Sequence, residues 1–108
     1  MIETNDWKIT CGKTNSYLFV KIEDKNENYF PIEYRLYFSS KEIHIHIWNR
    51  EGKALGFSEM DQGFPKNTPL KCRILELACR LNRITKIDVE KIEELLLSCL
   101  GEENESSM

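Results

Sequence analysis

The sequence predicts an α+β domain: an antiparallel β-meander of four or five strands followed by two C-terminal helices packed on one face of the sheet. Three observations carry this. Apolar and polar residues alternate through most of the first two thirds of the 108-residue chain, as they do in half-buried strands. The last third repeats apolar residues at helical spacing instead. Short polar stretches of Asp, Asn, Ser and Gly punctuate the alternating runs and supply turns.

A short strand is expected over Trp7–Thr10. A clearer one covers Ser16–Glu23, where Leu18, Val20 and Ile22 alternate with Tyr17, Phe19 and Lys21. The run DKNEN at 24–28 is polar and turn-like. Tyr29–Phe38 is the next strand, and Pro31 places its beginning at an edge or bulge. Ser39 and Ser40 turn the chain into Glu42–Asn49, which reads EIHIHIWN. Gly52 marks another turn, after which Ala54–Phe57 is a short fifth strand. The connector MDQGFPKNTP at 60–69 is rich in breakers.

Asn67 or Thr68 can cap a helix with Pro69 in its first turn, where a missing N–H costs nothing. This helix runs to about Asn82 on a stripe of Leu70, Ile74, Leu77, Ala78 and Leu81. Cys72, Leu75 and Cys79 widen the stripe, which predicts contact on two sides, and Arg73, Glu76 and Arg80 form a charged edge. The second helix opens at Asp88 and buries Val89, Ile92, Leu95, Leu96, Cys99 and Leu100. Gly101 is a favoured helix stop. The chain therefore divides into one domain, 1–100, and an acidic tail, 101–108, expected to be disordered.

Period-two side chains fix the expected register. A two-residue Ser39–Ser40 loop pairs Leu36 with Ile43, Tyr34 with Ile45, Arg35 with His44 and Glu33 with His46; a four-residue loop keeps the same pairs. The same logic sets Val20 by Tyr34, Leu18 by Leu36, Lys21 by Glu33, Phe19 by Arg35 and Tyr17 by Tyr37. One sheet face is then aliphatic and receives both helices. The other carries Tyr17, Phe19, Arg35, Tyr37, His44, His46 and Trp48, and nothing in the sequence covers it.

Composition narrows the function. The formal charge of −3 gives no general attraction to nucleic acid or anionic lipid. The charge is uneven: residues 88–108 hold seven acids and one base, a sum of −6, against +3 for residues 1–87. The polar N-terminus is no secretory signal, and no apolar run approaches the ~20 residues of a membrane helix. The four cysteines form no CxxC, and Cys72 and Cys79 lie roughly 10 Å apart along a helix, too far to bond. All four read as small buried hydrophobes of a reducing, cytoplasmic protein.

No GxSxG, P-loop or GxGxxG is present, and no cysteine pairs with a histidine, so no catalytic residues, cofactor or metal are assigned. His44 and His46 with Glu33 could form a two-histidine, one-carboxylate metal set, but Arg35 beside them opposes a dication. The aromatic face with Lys21 and Arg35 could stack single-stranded nucleic acid, against which stand the net charge and Glu33 and Glu42. Aromatics with arginine and mixed rim charge match a protein interface best.

The expected function is thus a small non-enzymatic protein-binding module, in its concrete form a bacterial immunity or inhibitor protein that occludes a toxin, nuclease or other basic nucleic-acid-handling partner. Tyr17, Phe19, Arg35, Tyr37, His44, His46 and Trp48 would contact the partner, and Glu90, Glu93 and Glu94 would supply complementary charge. The same open face could instead join two copies of the chain as a homodimer.

Overall fold

The computed structural model describes the backbone of residues 1–61 and 67–106 and the side chains of residues 1–55 and 67–101. It is an α+β structure. Six strands, β1 (Ile2–Glu3), β2 (Trp7–Lys13), β3 (Tyr17–Asp24), β4 (Ile32–Tyr37), β5 (Ile43–Trp48) and β6 (Ala54–Asp61), precede two helices, α1 (Leu70–Thr85) and α2 (Val89–Ser106). The strands lie side by side in chain order, each antiparallel to the next. The strand count is one above the expected upper bound because Ile2–Glu3 pairs with Lys8–Ile9 at the sheet edge. Two residues are too few to show a period, so this strand leaves no pattern in the sequence. Positions 62–66 of the breaker-rich connector expected over 60–69 lie outside the described residues, and its first two positions end β6.

The central register is the expected one. Leu18 pairs with Leu36, Val20 with Tyr34, and Phe19 with Arg35; Leu36 pairs with Ile43, Tyr34 with Ile45, and Arg35 with His44. The β4–β5 loop takes the four-residue form. Tyr37 N–H donates to the Glu42 carbonyl at 2.9 Å and Lys41 N–H to the Tyr37 carbonyl at 2.8 Å, with Lys41 in the left-handed region at φ 59°.

Side-chain oxygens set the other turns. In the β3–β4 turn the Asp24 carboxylate accepts the Asn26 and Asn28 N–H groups, both at 2.9 Å. After β5, Asn49 Oδ1 accepts the N–H groups of Glu51 at 3.0 Å and Lys53 at 2.8 Å, and Gly52 takes φ 82°. These are the local bonds that make Asp and Asn turn residues.

Alternation then sorts the two faces. Ile9, Leu18, Val20, Ile22, Leu36 and Ile43 are 0–1% exposed and face the helices. From the helices, Ile74, Leu77, Ala78, Leu81, Ile92 and Leu96 complete the core, equally sealed. Each Val, Leu or Ile among them contributes about 1.5–3 kcal/mol by leaving water, enough together to hold the helices to the sheet. α2 packs against β2 and β3, and α1 packs against α2.

The helices depart from expectation in four places. α1 begins behind Pro69, which itself holds the extended N-cap position, and no side chain caps it. The widened part of the α1 stripe is not buried: Leu75 is 44% and Ile84 37% exposed, and Cys72 is exposed. Arg73, expected on the charged edge, is fully buried. Its Nε donates to the Lys41 carbonyl at 3.0 Å and its Nη1 to Glu76 Oε1 at 2.6 Å. Its long apolar stem reaches from the helix to the β4–β5 turn while the charge stays bonded. Finally, α2 continues to Ser106, through residues expected to be a disordered tail. Gly101 lies within it without the left-handed backbone that would end a helix. Glycine permits that stop without compelling it.

The link between the helices is short and closed. Thr85 Oγ1 donates to the Leu81 carbonyl at 2.9 Å and accepts from Ile87 N–H at 3.2 Å, and Asn82 Nδ2 donates to the Ile87 carbonyl at 2.7 Å. Lys86 turns the chain at φ 63°.

The cysteine reading needs correction. Cys11 of β2 and Cys99 of α2 form a disulfide across 88 residues of sequence, with Cα atoms 6.8 Å apart. Cys72 and Cys79 remain thiols. Local spacing could exclude only nearby pairs, whereas this pair meets because α2 lies on β2. Among the described residues no helix is long and apolar enough to cross a membrane.

Candidate functional site

The face away from the helices carries a row of rings set by cross-strand pairing. Tyr17 pairs with Tyr37, Arg35 with His44, and Glu33 with His46, so consecutive strands bring their rings into contact. The Tyr17 and Tyr37 centroids are 5.0 Å apart, Tyr37 and His44 4.6 Å, and His44 and His46 6.4 Å with planes 21° apart. Phe19 continues the row, edge-on to Tyr17 at 6.2 Å. All five rings are half-buried: they shield one another and leave one side to solvent.

The tip of the Phe19 ring reaches over a glycine. Gly12 is its partner on β2, and a Cβ there would stand 2.7 Å from the Phe19 ring. The ring covers the bare backbone, a packing that any larger residue at position 12 would displace.

One ion pair runs through the row. Arg35 Nε and Nη2 both lie 2.9 Å from Glu33 Oε1, and the guanidinium carbon sits 4.9 Å from the Tyr17 ring centre. Burial alone would lower the Arg35 pKa; hydrogen bonds to Tyr37 and Glu33 outweigh it and raise the pKa. The cation is therefore fixed in place and shared between a carboxylate and an aromatic face. His46 is pushed the other way. Burial lowers its pKa, as do the nearby Arg35 charge and His44, against the pull of Glu33. The shift favours the uncharged ring. His44 Nε2 lies 3.4 Å from Glu42 Oε1.

The predicted residues thus divide. Tyr17, Phe19, Arg35, Tyr37, His44 and His46 form one continuous patch. Trp48, half-buried, stands at the end of β5 beside a register irregularity, its backbone N–H donating to the Pro31 carbonyl at 3.0 Å. Glu90, Glu93 and Glu94 lie on α2, across the sheet from the rings. A flat contact cannot cover both groups. Among the described residues no three His, Cys, Asp or Glu side chains are placed to hold a metal ion.

Sequence reasoning missed two features. Tyr29 and Phe30, assigned to a strand, stand 63% and 47% exposed on the β3–β4 loop. Arg50 clamps that loop, donating to the Glu27 and Tyr29 carbonyls and lying 5.4 Å from the Phe30 ring centre. The turn signal at 24–28 was the available clue, and the loop simply runs three residues further. On the helix side, a cleft of about 590 Å³ opens between α1 and the sheet, lined by Tyr34, Ile45, Glu76, Cys79, Arg80, Arg83 and Ile84. The uncovered side of α1 forms its wall.

Against known proteins, the chain matches no family model, no curated protein and no solved structure.

Proposed function

We propose that the chain is a small protein-binding module whose ring-bearing sheet face is the contact surface. The observation that carries this reading is the continuous Phe19–Tyr17–Tyr37–His44–His46 row, with Arg35 locked against Tyr17 and Glu33. Rigid aromatic rings with a held guanidinium are the side chains that dominate binding energy at protein interfaces. Their mutual packing means little side-chain freedom is lost on contact. The charge on the face is mixed: Lys21 and Arg35 stand beside Glu23, Glu33 and Glu42. That balance favours a protein surface over the phosphates of a single strand.

In its finer form the reading is an inhibitor or bacterial immunity protein that occludes a toxin or nuclease in the cytoplasm. Because Glu90, Glu93 and Glu94 lie across the sheet from the rings, a basic partner would meet either the ring face or α2, or would wrap the sheet edge.

The test uses the full chain as bait. A captured protein is purified and titrated against wild type, a folded Tyr17→Ala/Tyr37→Ala variant and Glu93→Lys/Glu94→Lys. Loss of two anchors is expected to weaken binding about 100-fold or more, while the α2 variant keeps it. Equal affinity for the ring variant, or recovery of nucleic acid alone, refutes the proposal. Self-association in sedimentation that the ring variant abolishes would assign the face to a second copy.

A further inference from the structure

We propose that the Cys11–Cys99 pair is a redox-controlled latch on the last turns of α2. The bond joins the second strand to the last helix, so it ties the two ends of the chain together across 88 residues. Its place along α2 is what makes it a latch. Ile92 and Leu96 are fully buried and anchor the helix without it. Beyond them Leu97, Cys99 and Leu100 are only partly buried against the core, so apolar contact holds this end less firmly.

Residues next to the bonded cysteines in sequence line a cleft. A space of about 300 Å³ lies between Lys13, Thr14, Asn15, Phe38 and Leu100. Lys13 is two residues beyond Cys11, and Leu100 directly follows Cys99. Closing the disulfide therefore fixes Leu100 over one end of the cleft, and opening it frees that wall.

The reduced state is provided for as well. Cys11 Sγ lies 3.7 Å from the Leu95 carbonyl oxygen, so a thiol there has an acceptor in place and is not stranded in the core. Cys72 and Cys79 stay outside the bond, on α1.

Closure balances with a small disulfide as oxidant. One cysteine thiolate attacks it and releases one thiol; the second cysteine then displaces the other half. Two thiols of the protein become one S–S bond, and their two electrons and two protons end on two small thiols. A dithiol reductant reverses the exchange.

The experiment compares the full chain after treatment with oxidised glutathione and after a phosphine reductant. Intact mass after denaturing alkylation counts thiols, and hydrogen exchange follows the amides. Two alkylated thiols, at Cys72 and Cys79, are expected in the oxidised sample and four in the reduced one. Amides of Leu97–Gly101 should exchange at least tenfold faster on reduction, while those of Leu18–Ile22 and Ile92–Leu96 hold. Cys11→Ser should match the reduced protein in either medium; if it does not fold, Cys99→Ser and the reduced wild type carry the same comparison. Four alkylated thiols after oxidation overturn the proposal, as does a bond involving Cys72 or Cys79. Equal exchange at Leu97–Gly101 in both states, or loss of protection throughout the chain on reduction, overturns it too.

Discussion

Replacing Arg73 tests how α1 is locked to the sheet. Arg73 is 0% exposed, and its side chain donates to the Lys41 carbonyl at 3.0 Å and reaches Glu76 at 2.6 Å. In Arg73→Ala the Lys41 carbonyl loses a charged donor, which costs about 1.5–3 kcal/mol. Removing the buried stem adds about 1 kcal/mol of lost packing. Losing the ion pair itself adds little. Glu76 Oε2 keeps Arg80 at 2.9 Å, and with its side chain 29% exposed it also keeps water. The expected loss is about 2.5–4 kcal/mol, or roughly 11–18 °C in Tm for a chain of this length. Arg73→Met keeps the stem and loses only the bonds, so it should fall about 1 kcal/mol short of the alanine effect. Equilibrium urea unfolding at pH 7 reads both, with an unchanged slope against denaturant. A loss under about 1 kcal/mol for alanine, or equal losses for both variants, would refute the argument that the guanidinium joins α1 to the β4–β5 turn.

Three further perturbations follow from single positions. His46 has its pKa lowered by burial and then by Arg35. Below about pH 6.5 the unfolded chain takes up a proton that the folded one resists. Stability should therefore be fully present above that pH and fall as pH drops towards the folded pKa; His46→Gln should flatten this part of the urea-midpoint profile, and an unchanged slope would contradict it. Gly12→Ala places a methyl group 2.7 Å from the Phe19 ring. It should cost about 1 kcal/mol, and no more than a few tenths in a Phe19→Ala background, which a double-mutant cycle measures. Lys86 holds φ 63° at the end of α1, so Lys86→Gly should raise stability by about 0.5–1 kcal/mol in the same assay.

What was legible in the sequence follows one physical rule: information with a short period survives, and information that depends on reach does not. Ile43 and Ile45 face the helices and His44 and His46 face away because alternation leaves a strand two choices, and burying the isoleucines decides between them. The candidate face was readable for the same reason, down to the Tyr17–Tyr37 and Phe19–Arg35 pairs. Arg73 was misread because helical spacing places a Cβ but says nothing about a side chain long enough to fold over the helix edge into a neighbouring turn. Leu75 was misread in the opposite sense: an apolar residue on a widened stripe needs a neighbour to bury it, and at 44% exposed Leu75 is not buried.

The Cys11–Cys99 bond joins residues with no local relation, so only the docked position of α2 reveals it. The separation of the ring row from the α2 carboxylates has the same origin. That the acidic helix and the aromatic strands stay partly open to solvent is legible from their patterns, but which side of the sheet each occupies is a tertiary fact. It sets the proposed ring contact and the α2 carboxylates on separate faces. A partner that depends on both must bend around the sheet edge, and a partner that depends on one will be indifferent to charge reversal on the other.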